Sequence, residues 1–157
     1  MFCQTLKLTN AYPWKYNKQV VLKRPGLDAF LREASKRFNL CVYSAGTNEY
    51  VHSVLNALDP TGTLILARLS REHCIHIDGM GMTKDLRRVW ADGDLNRIVL
   101  VDDTMQNFYL QACNGIPVRP FINNANDELL VTFLPNFLDA LNRFQGFRDS
   151  FPNLPNS

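Results

Sequence analysis

The sequence predicts an α/β domain with a mainly parallel sheet. Short apolar or β-branched runs, among them Val20-Val21-Leu22, Leu40-Cys41-Val42-Tyr43 and Ile98-Val99-Leu100-Val101, alternate with segments whose apolar residues recur at helical spacing. The run ending at Val101 is apolar at successive positions, as in a strand buried on both faces, and it delivers Asp102 and Asp103 into a turn. Chemistry in parallel sheets gathers at the strands' carboxyl ends. Adjacent carboxylates there need a cation, a shared proton or good solvation, and Mg²⁺ is the natural first candidate.

In chain order, Leu6, Leu8, Tyr12, Trp14 and Tyr16 alternate with polar residues but are interrupted by Asn10 and Pro13, so residues 1–19 read as partial hairpin or loop. The Val20–Leu22 strand follows, and Arg24-Pro25-Gly26 turns the chain into a helix with Pro near its first turn. Leu27, Phe30, Leu31, Ala34 and Phe38 form that helix's core stripe, and Asn39 is a plausible stop. The strand Leu40–Tyr43 delivers Ser44 into Ala45-Gly46-Thr47. A second amphipathic helix then carries Val51, Val54, Leu55 and Leu58, and ends at Asp59-Pro60.

Beyond it the pattern is less regular. Leu64-Ile65-Leu66-Ala67 reads as a strand, Asp78-Gly79-Met80-Gly81 as a turn, and Thr83-Lys84-Asp85-Leu86 as the opening of a short helix. After the Ile98–Val101 strand, Asn114-Gly115-Ile116-Pro117-Val118 is a turn feeding another short strand. From Asp127 a long amphipathic helix is expected, with Leu130, Phe133, Leu134, Phe137, Leu138 and Leu141 on one face, and Pro135 must kink it or begin a new first turn. Residues 1–143 are expected to form one domain and 144–157 a frayed tail.

With 157 residues, 46% hydrophobic and 20% charged, the chain suits a single domain with a real core. A net charge of +2 gives no case for direct nucleic-acid binding or for anionic lipid as the main partner. Cys3, Cys41, Cys74 and Cys113 lie far apart, without the close pairs of a zinc site or a disulfide scaffold. The cluster His73-Cys74-Ile75-His76 lacks distant partner ligands. No apolar run is long enough to span a bilayer, and Met1 to Lys7 turns polar too soon for a signal peptide.

Ser44, Lys84 and Asp102/Asp103 each follow a candidate strand or turn. Together they read as a phosphate site in which a hydroxyl and turn amides hold phosphoryl oxygens, an ammonium neutralises them and carboxylates hold Mg²⁺.

Six ordered segments add a family resemblance: Val21 to Leu31, Val42-Tyr43-Ser44-Ala45, Ala67 to Cys74, Lys84-Asp85-Leu86, Val101-Asp102-Asp103, and Asn114 to Val118. From about Val20 to Leu141 the chain resembles the haloacid dehalogenase superfamily phosphatases that act on the RNA polymerase II C-terminal domain and related proteins. The resemblance implies a Rossmann-like sheet and a Mg²⁺-dependent, two-step transfer through an aspartyl phosphate. It implies a phosphorylated protein or peptide as partner and a nuclear location, with cytoplasmic or mitochondrial alternatives. Ser44 would match the hydroxyl that binds the phosphoryl group, where Thr is more common, with Ala45 beside it. Lys84 would match the neutralising lysine. Asp102 and Asp103 would match the acidic motif that holds Mg²⁺, the second more directly. Arg68 and Arg71 sit in the segment that borders the substrate groove in that family.

The departure is at the start. The family's nucleophile motif, Asp-x-Asp-x-Thr, can fall only on Met1-Phe2-Cys3-Gln4-Thr5-Leu6, which puts Met1 at the nucleophile position and Cys3 at the general acid's. A thioether cannot form an acyl phosphate, and a thiol replaces a carboxylic acid poorly. The chain as written is therefore expected to be inactive, and its sheet to lack the usual first central strand. Survival of Gln4-Thr5-Leu6 beside a starting methionine favours a shortened form of an active phosphatase. The alternative is a non-catalytic binding module on the same fold, as in the mitochondrial inner-membrane translocase receptor.

Overall fold

The sheet is built from strands of three to five residues, too short to stand alone and held by pairing with one another. The computed structural model describes residues 2–4, 14–16, 19–91 and 94–140, with the backbone alone described before Val21. Five parallel strands form the main sheet: β1 (Phe2–Gln4), β4 (Leu40–Tyr43), β5 (Ile65–Leu69), β8 (Val99–Asp102) and β9 (Gly115–Pro117). Their spatial order is β5-β4-β1-β8-β9. Two antiparallel pairs stand apart from it, β2 (Trp14–Tyr16) with β3 (Gln19–Val21), and β6 (Ile75–Ile77) with β7 (Gly81–Thr83). The expected α/β class with a mainly parallel sheet is what forms.

One expectation is corrected. The central position is not empty: Phe2–Gln4 fills it, pairing with Leu40–Val42 on one side and Val99–Val101 on the other. An empty slot would leave facing rows of backbone donors and acceptors on β4 and β8, and even three residues satisfy part of both. The Val20–Leu22 run, by contrast, contributes to the β2–β3 hairpin and not to the main sheet.

Side chains alternate cleanly across the sheet. Leu40, Val42, Val99 and Val101 face one core, with α1 (Leu27–Ser35), α2 (Asn48–Leu58) and the C-terminal helix packed against them. Cys41, Tyr43, Ile98 and Leu100 face the other, beside Leu69, Leu86 and Phe108. That second face is covered by short turns: Leu86–Arg88 and Met105–Phe108 are single 3₁₀ turns.

The Arg24-Pro25-Gly26 turn does more than start α1. Gly26 is its N-cap, in the left-handed region at φ 78°, and a Cβ there would meet Val131 Cγ2 at 2.6 Å. Arg24 binds Asp127 through two nitrogens, at 2.7 and 2.8 Å, so the same turn docks the C-terminal element. At the far end of α2, buried Asp59 accepts the amides of Thr63, Leu64 and Ile65 at 2.9 to 3.0 Å and so shapes the approach to β5.

The C-terminal helix differs from expectation. It opens with a π turn over Leu129–Phe133 and becomes α-helical over residues 134–140, here α3. Pro135 follows directly on that π turn, which Leu134 closes by donating its N–H to Leu129 O, and its own ring nitrogen has no proton to continue the ladder. Leu130, Leu134 and Leu138 are buried, but Phe133 is 55% and Phe137 37% exposed, stacked on each other on the outer side. The buried stripe is narrower than the apolar periodicity suggests. The tail 144–157 lies outside the described residues.

Candidate active site

The parallel strands β4, β1 and β8 end at one edge, and their register says which residues meet there. Gln4 is level with both Val42 and Val101, so Asp102 and Ser44 lie one and two residues beyond β1's last described level, on either side of it. Asp102 is the last residue of β8, and its backbone carbonyl accepts the amide of Val118 at 2.9 Å.

The Asp102 carboxylate is wholly buried and triply engaged. Its Oδ2 accepts Lys84 Nζ and Asn107 Nδ2, each at 2.7 Å, and its Oδ1 accepts the Thr104 amide at 2.8 Å. A buried carboxylate without such partners would be strongly disfavoured. Lys84 arrives from the β6–β7 hairpin, just beyond Thr83, and its ammonium lies 5.7 Å from the centre of the buried Tyr43 ring. Asp103 is half-buried, and its carboxylate accepts the Thr104 hydroxyl at 3.1 Å.

Ser44 follows β4 in a tight turn. Its amide donates to Leu69 O, and its Oγ accepts the Gly46 amide at 3.0 Å, a bond that uses a lone pair and not the hydroxyl proton. Gly46 is required there: a Cβ would stand 2.8 Å from Tyr50 Cδ1 and 3.2 Å from Ser44 Oγ. Arg71 joins this turn twice, its Nε donating to Ala45 O at 2.8 Å and its amide to Gly46 O at 2.9 Å. Arg68 does not join it. Its Nη1 is held by Asn56 Oδ1 at 2.6 Å, on the α2 side. Cys3 lies within the β1 ladder, level with Cys41 and Leu100 and two residues short of Asp102, and Met1 is outside the described residues.

Cys74 borders the site with its Sγ 3.7 Å from Ser44 O. Burial pushes its thiol up, against the opposing charges of Lys84 and Arg71. His73 Nδ1 accepts the Ser70 amide at 3.1 Å, while His76 lies 3.7 Å from Asp78 on the hairpin. Among the described residues no group of three His, Cys, Asp or Glu is disposed to hold a metal. Asp102 and Asp103 are nonetheless hard oxygen donors, and Mg²⁺ commonly uses one or two carboxylates with water and phosphate oxygens. In kind, the pair fits a Mg²⁺ ion shared with a phosphate.

Several structural partners were not among the expected site residues. Asn107 and Gln111 lie in the turns after the acidic pair, and Tyr43 ends β4; each touches the Lys84 or Asp102 neighbourhood. The one available sequence signal was a polar residue shortly after Asp-Asp, which is common in turns.

Three comparisons place the chain. Residues 3–148 match the family model described as NLI interacting factor-like phosphatase. The chain is 33% identical over 126 residues to CTD small phosphatase-like protein 2 of Dictyostelium discoideum, covering 80% of this chain and 21% of that protein. It is 32% identical over 108 residues to mitochondrial import inner membrane translocase subunit TIM50 of Candida glabrata, covering 69% of this chain and 22% of that protein. The chain thus spans about a fifth of the length of each. The fission yeast RNA polymerase II CTD phosphatase Fcp1 bound to beryllium fluoride superposes with a TM-score of 0.54 at 28% identity, over 76% of this chain and 35% of that one. The ordered Ser44, Lys84 and Asp102-Asp103 positions, the sheet that carries them and the match over nearly the whole chain lead to one conclusion: this chain belongs to the NLI interacting factor-like phosphatase family of the haloacid dehalogenase superfamily.

Proposed function

We propose that the domain recognises phosphoserine or phosphothreonine in a protein, in the manner of the polymerase-tail phosphatases, and that these 157 residues do so without turnover. The observation that carries this is the buried Lys84–Asp102 pair at the mouth of the sheet, its ammonium 5.7 Å from the ring centre of Tyr43, the residue before Ser44. Placing that pair out of water is costly unless its partners are well ordered, as they are here.

In this reading Ser44 Oγ–H and the turn amides near it donate to phosphoryl oxygens. Lys84 supplies positive charge from its place on Asp102. Arg71, anchored on Ala45 and Gly46, borders the peptide. Asp102 and Asp103 would hold Mg²⁺, which supplies charge neutralisation to a bound phosphate. Hydrolysis by the family's route also requires a carboxylate nucleophile at the end of β1. Cys3 stands where the resemblance puts the general acid, and a thiol replaces a carboxylic acid poorly, which supports recognition without turnover. A nuclear location accompanies the polymerase-tail reading, and a mitochondrial one the binding-module reading.

Calorimetric titration with a phosphoserine peptide and its unphosphorylated twin tests the proposal. Binding confined to the phosphopeptide, and lost in Lys84→Met, is the expected result; equal binding of both peptides would refute it. Mg²⁺-dependent release of phosphate from an aryl phosphate, abolished by Asp103→Ala, would refute the absence of turnover. A protein partner bound equally with and without chelator would favour the binding-module alternative.

A further inference from the structure

Lys84 stands on a turn between β7 and the Leu86–Arg88 3₁₀ turn, so its placement depends on what holds that turn. The turn is clamped from the segment that follows the acidic pair. Gln111 Nε2 donates to Asp85 Oδ1 at 2.9 Å while its Oε1 accepts the Leu86 amide at 3.0 Å. One amide side chain therefore satisfies a donor and an acceptor on the two residues directly after Lys84. A third bond flanks the lysine on its other side, where Thr83 Oγ1 donates to the Gln106 carbonyl at 2.6 Å. Asp85 is buried and Leu86 completely so; Gln111 is half-buried. All three bonds cross from the lysine turn to the 105–111 segment, and Asn107 of that same segment shares Asp102 Oδ2 with Lys84.

We propose that Gln111 is a positioning residue, holding the Lys84-Asp85-Leu86 turn against the 105–111 segment so that the ammonium keeps its place on Asp102 and toward a bound phosphate. The phosphate half of this rests on the reading of Lys84 given under Proposed function; the clamp itself does not. Any amide of the right length can bridge Asp85 and Leu86, but an apolar leucine makes neither bond. A glutamate there still accepts from the Leu86 amide yet sets a second carboxylate against Asp85.

The test uses the 157-residue chain with inorganic phosphate as probe. Gln111→Leu is expected to weaken phosphate binding on the order of tenfold relative to wild type, since it removes two bonds and strands the Leu86 amide, while the Asp85 carboxylate keeps its bonds from Arg87. Hydrogen exchange at the Leu86 amide and at the Lys84 ammonium is expected to accelerate by a similar factor, while amides in α1 and α2 keep their rates. Gln111→Glu should bind phosphate poorly at neutral pH and recover relative to wild type as the new carboxyl protonates and can donate to Asp85, a pH profile that a filler of space would not show. Unchanged exchange at Leu86 and Lys84 in Gln111→Leu, or uniform acceleration through α1 and α2, would overturn the inference. Should wild type bind phosphate no better than Lys84→Met, the reading of Lys84 falls. Accelerated local exchange would then still uphold the clamp, and unchanged exchange would still overturn it.

Discussion

Lys84 Nζ and Asp102 Oδ2 meet at 2.7 Å with both side chains almost entirely hidden from solvent. Such a pair fixes geometry more than it adds stability, because desolvating two charges offsets most of their attraction. Its two members come from different segments, the β6–β7 hairpin and the end of β8.

Breaking the pair on one side leaves a buried charge without its counterpart. Lys84→Met or Asp102→Asn is expected to destabilise the fold by about 3–5 kcal/mol, and the double variant by clearly less than the sum. Denaturant unfolding of the three variants measures this; additive losses would show that the two charges are not coupled.

Acid should weaken the fold through a small set of carboxylates. Burial acts to raise Asp59, but the amides of Ile65, Leu64 and Thr63 outweigh it and hold its carboxyl below the usual value. Arg87 lowers Asp85, and Arg24 lowers Asp127. Each is more acidic folded than unfolded, so its contribution is complete above the unfolded value of about 3.9 and is lost as pH falls through the folded value. Thermal stability is expected to hold from neutrality to about pH 5 and to drop below about pH 4. Asp59→Ala, which strands three amides, should cost at least about 3 kcal/mol at pH 7 and flatten that acid limb.

The acidic turn offers a direct metal test. Millimolar Mg²⁺ with phosphate is expected to raise the melting temperature of wild type by mass action and to leave Asp103→Ala unmoved. Without Mg²⁺ the variant should melt near wild type, since Asp103 is only half-buried. No Mg²⁺ response in wild type would remove the acidic pair as a metal site.

The two sides of the C-terminal helix should respond in opposite ways. Leu138→Ala is expected to cost about 2–5 kcal/mol and Phe133→Ala to stay within about 0.5 kcal/mol, because the first is buried and the second more than half exposed. Equal losses in chemical denaturation would contradict the observed facing.

Much of the fold was legible because local periodicity and burial agree. The stripes of α1 and α2 and the four-residue run of β4 are buried as their spacing requires. The apolar face from Asp127 onward was read too broadly, since a π turn rotates Phe133 outward before the regular helix begins, and periodicity cannot register that rotation. The central strand was misjudged for a different reason. Phe2-Cys3-Gln4 has little strand character alone, and only the exposed ladders of β4 and β8 give it a place.

By itself, the sequence determined the α/β alternation, the order Ser44, Lys84, Asp102-Asp103, and a thiol, Cys3, where the resemblance expects a carboxylic acid, because these are properties of residue type and position along one chain. Only the tertiary structure decided that Asp102 meets Lys84, Asn107 and the Thr104 amide, that Arg71 turns to the Ser44 loop while Arg68 turns to α2, and that Gln111 grips the lysine turn. Those relations join residues far apart in sequence, and they exist because burial leaves each polar group no partner but the one that folding brings to it.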